Sequence, residues 1–139
     1  MTVLGALSTT LLGSTAVTDL IGQRLHTDVI NQDSQRPAAL MYVVTERAEN
    51  CLNGFVGFET ATVRIEAYGR SRLEADLVMQ AIKESLNGLI GVVSGTPIRG
   101  ISQNTGIIHL VDKPNDGTDQ WQFRSVQSFD VSYNSFEGA

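Results

Sequence analysis

Residues 60–88, TATVRIEAYGRSRLEADLVMQAIKESLNG, hold the two patterns that decide the fold. Ala61, Val63, Ile65 and Ala67 alternate with Thr62, Arg64, Glu66 and Tyr68, the period-two signature of a strand with one buried face. From residue 72 the period changes. Leu73, Leu77, Val78, Ala81, Ile82 and Leu86 recur at three-to-four spacing, the apolar stripe of a helix over residues 72–87. Ser71 is a good N-cap, Glu74 stands where a capping box needs its carboxylate, and Gly88 is placed to cap the C-terminus.

Upstream of this pair, Val3, Leu4, Leu7, Leu11 and Leu12 predict a short amphipathic helix closed by Gly13. Ser14 or Thr15 caps a second short turn carrying Val17, Leu20 and Ile21, which Gly22 ends in a left-handed conformation. Residues 24–30 read as a short strand and residues 31–37 as a loop ending in proline. Residues 39–46 are almost continuously apolar and read as a strand buried on both faces. Residues 48–59 contain Gly54 and Gly57 among Phe55, Val56 and Phe58, a long loop with exposed-looking hydrophobes. Downstream, residues 89–97 are too rich in glycine to assign. Strands are predicted at 98–102, 106–112 and 120–133, with a turn at 113–119 around Pro114 and Asp116-Gly117. In the last strand Trp121, Phe123, Phe129, Val131 and Tyr133 share one parity, and Ser125 and Gln127 interrupt it. A strand this long should bend, or leave the core midway and pair elsewhere. The expected fold is α+β: a single domain over residues 1–139, with a mostly antiparallel sheet, one long helix on one face and short N-terminal helices.

Composition bounds the function. The 139 residues are 42% hydrophobic and 18% charged, which excludes a disordered chain and leaves much neutral surface for burial against copies of itself. Ten Lys and Arg against fifteen Asp and Glu give a formal charge of −5, and no basic cluster of the kind that neutralises phosphates is present. Cys51 is the single cysteine, so no intrachain disulfide framework exists, which fits synthesis in a reducing cytoplasm. No Lys or Arg precedes an N-terminal apolar stretch, as a signal peptide requires, and no run approaches the ~20 apolar residues that span a bilayer.

Catalytic and ligand constellations are missing. Cys51 with His26 or His109 is the only conceivable nucleophile and base pair, and nothing further supports it. Residues 112–119 are acidic, but Pro114 occupies a ligand position of a calcium loop and no glutamate closes it. Gly88, Gly91 and Gly95 follow a helix and no Lys-Ser or Lys-Thr succeeds them, so they form no P-loop. The aromatic stripe from Trp121 to Tyr133 reads as core rather than as a base-stacking platform, because Arg124 alone interleaves with it. No cofactor and no metal are expected. The Phe55-Val56-Gly57-Phe58 segment admits two readings: a loop folded onto its own core, or an arm that orders against a neighbour.

Several motifs in order resemble the small phage tail-completion (tail terminator) proteins. Val17-Thr18-Asp19-Leu20-Ile21-Gly22-Gln23-Arg24-Leu25 is similar to their V-x-x-L-[IV]-G-x-R-[IL] signature. The strand after Pro37, the step from Val63 through Tyr68 and Gly69 to Ser71, the helix end Leu86-Asn87-Gly88 and the closing Phe129-Asp130-Val131-Ser132-Tyr133 resemble theirs in sequence order over residues 14–134. The glycine-rich residues 88–95 depart from the pattern.

The resemblance implies a structural virion protein at the head–tail junction and no enzyme. It implies a homo-oligomeric ring, a hexamer, on the last layer of the tail tube. That ring would stop tube growth and join the tail to a head-completion or connector protein. The genome would pass through without specific binding, and no membrane is involved. Expected interface residues are Cys51, Leu52, Phe55, Val56 and Phe58 in the 48–59 segment and Phe129, Val131 and Tyr133 in the last strand. Asp112, Asp116 and Glu59 are candidates to line the opening. A head-completion adaptor or the tube protein itself is the nearest alternative, and a small ligand-binding domain or enzyme the alternative of another class.

Overall fold

The computed structural model describes residues 3–29, 35–51, 54–93, 95–104, 106–112 and 122–134; for 48–51, 54–58, 112 and 134 it describes the backbone alone. Two short helices, α1 (Val3–Leu12) and α2 (Thr15–Ile21), precede the strands β1 (Leu25–Thr27), β2 (Ala38–Cys51) and β3 (Gly54–Gly69). The long helix α3 (Arg72–Leu86) follows, and then β4 (Gly91–Val93), β5 (Thr96–Gln103), β6 (Ile108–Asp112) and β7 (Gln122–Asn134). The strands form one seven-stranded sheet in the order β1-β2-β3-β7-β5-β4, with β6 also on β7. Only β1 and β2 are parallel; every other pair is antiparallel. The α+β architecture expected from the sequence is the one observed.

The core lies between the helices and one face of the sheet. Ala61, Val63, Ile65 and Ala67 of β3 meet Ala39 and Met41 of β2, Phe129 and Val131 of β7, and the buried sides of all three helices. Leu7, Leu11, Ile21, Ile82 and Leu86 are completely buried there. The N-terminal motif is a staple. Gly22 ends α2 at φ 59° with its N–H on the Thr18 carbonyl, and Arg24 Nε then donates to the Pro37 carbonyl at 2.8 Å. The Arg24 carbonyl accepts from the Ala39 N–H, so one residue ties the end of α2 to the start of β2.

At the strand-to-helix step, a Cβ on Gly69 would stand 2.6 Å from the Ala75 nitrogen, so only glycine lets β3 pass this close to α3. Ser71 Oγ accepts from the Glu74 N–H at 3.1 Å, as the cap predicts. Glu74 reaches one residue beyond the capping box: its carboxylate takes the Arg70 N–H at 2.8 Å and the Arg70 guanidinium through both oxygens. The hydrogen bond from Arg70 is the main reason the Glu74 pKa is held below its ordinary value. Asn87 caps the other end, and Gly88 follows at φ 75°.

Four expectations need correction. Leu73 and Leu77 are not in the buried stripe of α3: they are 68% and 45% exposed, and the packed side consists of Ala75, Val78, Met79, Ala81, Ile82 and Leu86. The small Ala75 belongs where the helix touches β3, so the stripe is rotated away from the two leucines. The strand at 39–46 is buried on both faces only through Met41; Val44 is 46% exposed and Glu46 is exposed, because burial ends where β1 ends and a register shift at Val43/Thr45 turns the strand. Residues 48–51 and 54–59 are not a long loop. Their backbone continues β2 and begins β3, with pairs Ala48↔Glu59, Asn50↔Phe55 and Cys51↔Gly54, so the cross-strand ladder includes Gly54. The first strand is also shorter than expected, at Leu25–Thr27.

The last strand resolves its length by changing partners. On one side β7 pairs β3 from Phe123 to Asn134. On the other it pairs β6 over Gln122–Val126 and β5 over Phe129–Tyr133. Ser125 breaks the apolar run because its Oγ donates to Asp76 Oδ1 of α3 at 2.6 Å; Gln127 is buried beside it. The turn expected at Asp116-Gly117 lies outside the described residues. Among the described residues no single helix is long and apolar enough to cross a membrane.

Candidate functional site

The residues that carry chemistry do not converge. Cys51 pairs with Gly54 at the tip of the β2–β3 hairpin, whereas His26 pairs with Leu40 and His109 with Ser125 at the other end of the sheet. Eleven residues of strand separate the levels of Cys51 and Leu40, roughly 35 Å. Among the described residues no three His, Cys, Asp or Glu side chains group to hold a metal ion.

His109 belongs to a polar cluster on the flank of α3. Its Nδ1 lies 3.3 Å from Asp76 Oδ1 and 3.4 Å from Arg72 Nη1, while Arg72 donates to the carbonyls of Arg124 and Leu110 at 2.8 and 2.9 Å. Arg72 also stacks over Phe123, 5.6 Å from the ring centre. This cluster pins α3 to β6 and β7. Beside it Asp76, Met79, Gln80, Lys83, Glu84, Ile107 and His109 line an open cleft of about 440 Å³.

A second cluster lies on the side of the sheet away from the helices. Glu66 is only 6% exposed and accepts from Tyr42 at 3.0 Å, Tyr68 at 3.2 Å and Arg124 Nη1 at 2.7 Å. The guanidiniums of Arg36 and Arg124 stand over the Tyr68 ring, 5.0 and 5.9 Å from its centre. Burial, reinforced by Glu66, holds the Tyr68 hydroxyl above its ordinary pKa. Sequence reasoning missed this hub. Its signal was a glutamate at the centre of the period-two run, which alternation alone assigns to solvent.

The third feature is the β2–β3 hairpin. The last pair between β3 and β7 among the described residues is Phe58↔Asn134; further along the hairpin the described pairs are Asn50↔Phe55 and Cys51↔Gly54, between β2 and β3 alone. At its root the Tyr133 hydroxyl meets Glu59 Oε2 at 2.8 Å and Glu46 Oε1 at 3.2 Å. Burial, with the adjoining carboxylates, pushes the Tyr133 hydroxyl far up from its ordinary range.

The expected interface residues therefore fall into two groups. Cys51, Phe55, Val56 and Phe58 lie along the hairpin backbone, and Leu52 lies outside the described residues. Phe129, Val131 and Tyr133 are 2%, 0% and 6% exposed, so their side chains are spent inside the protomer, holding β7 between β3 and β5. Of the residues expected to line an opening, Glu59 is engaged by Tyr133, the Asp112 backbone ends β6, and Asp116 lies outside the described residues.

The family model described as tail completion protein gp17 matches residues 5–105. A solved structure described as the virion of a native gene transfer agent particle shares the fold: TM-score 0.67 over 96% of this chain and 95% of that chain, at 12% identity. A structure of bacteriophage SPP1 gp17 protein matches at TM-score 0.48 and 13% identity, covering 98% of this chain and 90% of that one. No curated protein matches the chain. The family match spans the N-terminal staple, the strand-to-helix step held by Gly69 and Ser71, and the start of the second half of the sheet. The chain belongs to the tail completion protein gp17 family, structural proteins of the virion tail.

Proposed function

We propose that the chain forms a closed ring on the end of the tail tube, ends its polymerisation and joins the tail to a head-completion or connector protein. The observation that carries this reading is the β2–β3 hairpin, which extends past Phe58↔Asn134, the last β3–β7 pair among the described residues, and has Phe55, Val56 and Phe58 in its sequence. If this hairpin stands clear of the sheet, its three large apolar residues gain from a surface that buries them. In a ring that surface is the next subunit, and Cys51, Leu52, Phe55, Val56 and Phe58 make the contact. Phe129, Val131 and Tyr133 act from within, by fixing the root of the hairpin. The mechanism is binding, with no chemical step: one face matches the tube end, the other does not repeat it, and growth stops.

Six copies, the number expected from the family resemblance, would carry 6 × −5 = −30 formal charges. Acidic groups near the opening would repel phosphates and keep DNA from adhering as it passes. The test is native mass spectrometry of the protein alone and with tube protein, combined with tube lengths by electron microscopy. A discrete ring and tubes of limited length are expected. A strict monomer in both conditions, with tubes that grow without limit, would sink the proposal. Binding to the portal side alone would instead favour a head-completion adaptor.

A further inference from the structure

The sheet has two outermost long strands, and each is covered for only part of its length. On one side β1 accompanies β2 for three residues: the Ala39 N–H bonds the Arg24 carbonyl, the Met41 carbonyl accepts from the Asp28 N–H, and the cover ends. On the other side β4 accompanies β5 for three residues, Gly91↔Ile98 to Val93↔Thr96. Among the described residues no strand pairs with the outer edge of β2 beyond Met41, or with that of β5 beyond Ile98. The two open windows are residues 42–47, YVVTER, and 99–104, RGISQN.

Protection of the two edges is partial: Glu46, Arg47 and Arg99 carry charge, and register shifts lie at Val43/Thr45 and Ile98/Gly100. There is no proline and no lysine in either, and Val44 is 46% exposed. The windows also match each other. Following the register across the sheet, Thr45 pairs Thr62, Thr62 pairs Asp130 and Asp130 pairs Ser102, so the two windows stand at one level. Their directions are opposite, because three antiparallel steps separate β2 from β5. A neighbour in the same orientation therefore presents its 99–104 window antiparallel to the 42–47 window. At the far end of the windows β2 has a further register shift at Ala48/Asn50, and β5 ends at Gln103, after which the Asn104 N–H is taken by the Ser128 carbonyl.

We propose that the outer edge of residues 42–47 in one copy pairs, as an antiparallel strand, with the outer edge of residues 99–104 in the next. The contact joins two different edges, so it is heterologous and leaves both edges satisfied only when the series closes. It rests on the ring reading and specifies its backbone interface.

The experiment places Thr45→Cys and Ser102→Cys, both exposed positions, in a Cys51→Ser background and oxidises the assembled protein with a mild oxidant. Paired strands bring these Cα atoms within the ~4.4–6.8 Å a disulfide needs. The doubly substituted chain should give a ladder of covalent species ending at the ring mass. A mixture of the two single variants should give only dimers containing one of each, and either single variant alone should give none. As a check without substitution, amide exchange in both windows should slow at least tenfold on assembly. An assembled particle with no cross-link and unchanged exchange overturns the edge pairing while leaving the ring intact. A single variant that links to itself shows a two-fold contact and also overturns it. A protein that stays monomeric alone and with tube protein overturns both readings.

Discussion

On the helix-covered side of β3, Ala61, Val63, Ile65 and Ala67 are completely buried among apolar neighbours. On the other side Thr62, Arg64, Glu66 and Tyr68 bond across to β2 and β7: Thr62 to Asp130 at 2.8 Å, Arg64 to the Tyr42 hydroxyl at 3.5 Å, and Glu66 to three donors. The two faces do different work. The apolar face gains by removing area from water, which is non-directional and accepts any register that keeps the parity. The polar face is directional: even a slip of two residues, which keeps the parity, would separate Glu66 from Tyr42 and Arg124 and strand a buried carboxylate. The apolar face thus supplies most of the cohesion, and the polar face selects one register for β2, β3 and β7.

The largest expected effect breaks the polar side. Glu66→Ala leaves Arg124 and two tyrosine hydroxyls without their shared acceptor and should cost about 3–5 kcal/mol in denaturant unfolding. A loss below about 1 kcal/mol would mean that solvent replaces the carboxylate and that the face is not selective. Ile82→Ala, on the apolar side, should cost about 2–5 kcal/mol by the same measurement, since the side chain is completely buried. A surface-like value would place α3 elsewhere.

Tyr133→Phe lies between the two kinds of face: it keeps the buried ring and deletes the hydroxyl on Glu59 and Glu46. About 1.5–3 kcal/mol is expected, as for hydrogen bonds to charged groups. The sign of its pH dependence follows from a raised folded-state pKa: the contribution is complete below the ordinary tyrosine value of about 10 and is lost as pH rises beyond it. The gap between the native chain and Tyr133→Phe should therefore stay constant from neutral pH to about 10 and narrow above; a gap that widens there would contradict the geometry. Ser71→Ala removes the bond to the Glu74 N–H and should cost about 1 kcal/mol, read as a lower unfolding midpoint. Smallest of all, Leu77→Ala should change stability by less than about 0.5 kcal/mol, because it lies on the exposed side of α3. A cost near that of Ile82→Ala would return Leu77 to the core.

Much of this was legible in the sequence because it depends on neighbours along the chain. The alternation of residues 61–68, the Ser71 cap and the Gly22 turn are set by local sterics and hydrogen bonds, and each is found where the pattern puts it. Leu73 and Leu77 misled because helical periodicity locates a stripe only to within a turn, and the short Ala75 and the long Met79 decide its centre by fit against β3 and β7. The 48–59 segment misled because Gly54 taken singly is a turn former, whereas here Cys51 on the opposing strand pairs with it.

By itself the sequence determined the class of the fold, its single long capped helix, the parity of its central strand and the family to which the chain belongs. These are properties of spacing, and spacing survives without three dimensions. Only the tertiary structure decided what the polar parity does, which strand lies beside which, and where the sheet stops being covered. Glu66 finds Arg124 fifty-eight residues away, Tyr133 finds Glu46 eighty-seven away, and β7 trades β6 for β5 halfway along. Such partners are chosen by closure of the whole sheet around the helices, and closure depends on all of its strands at once.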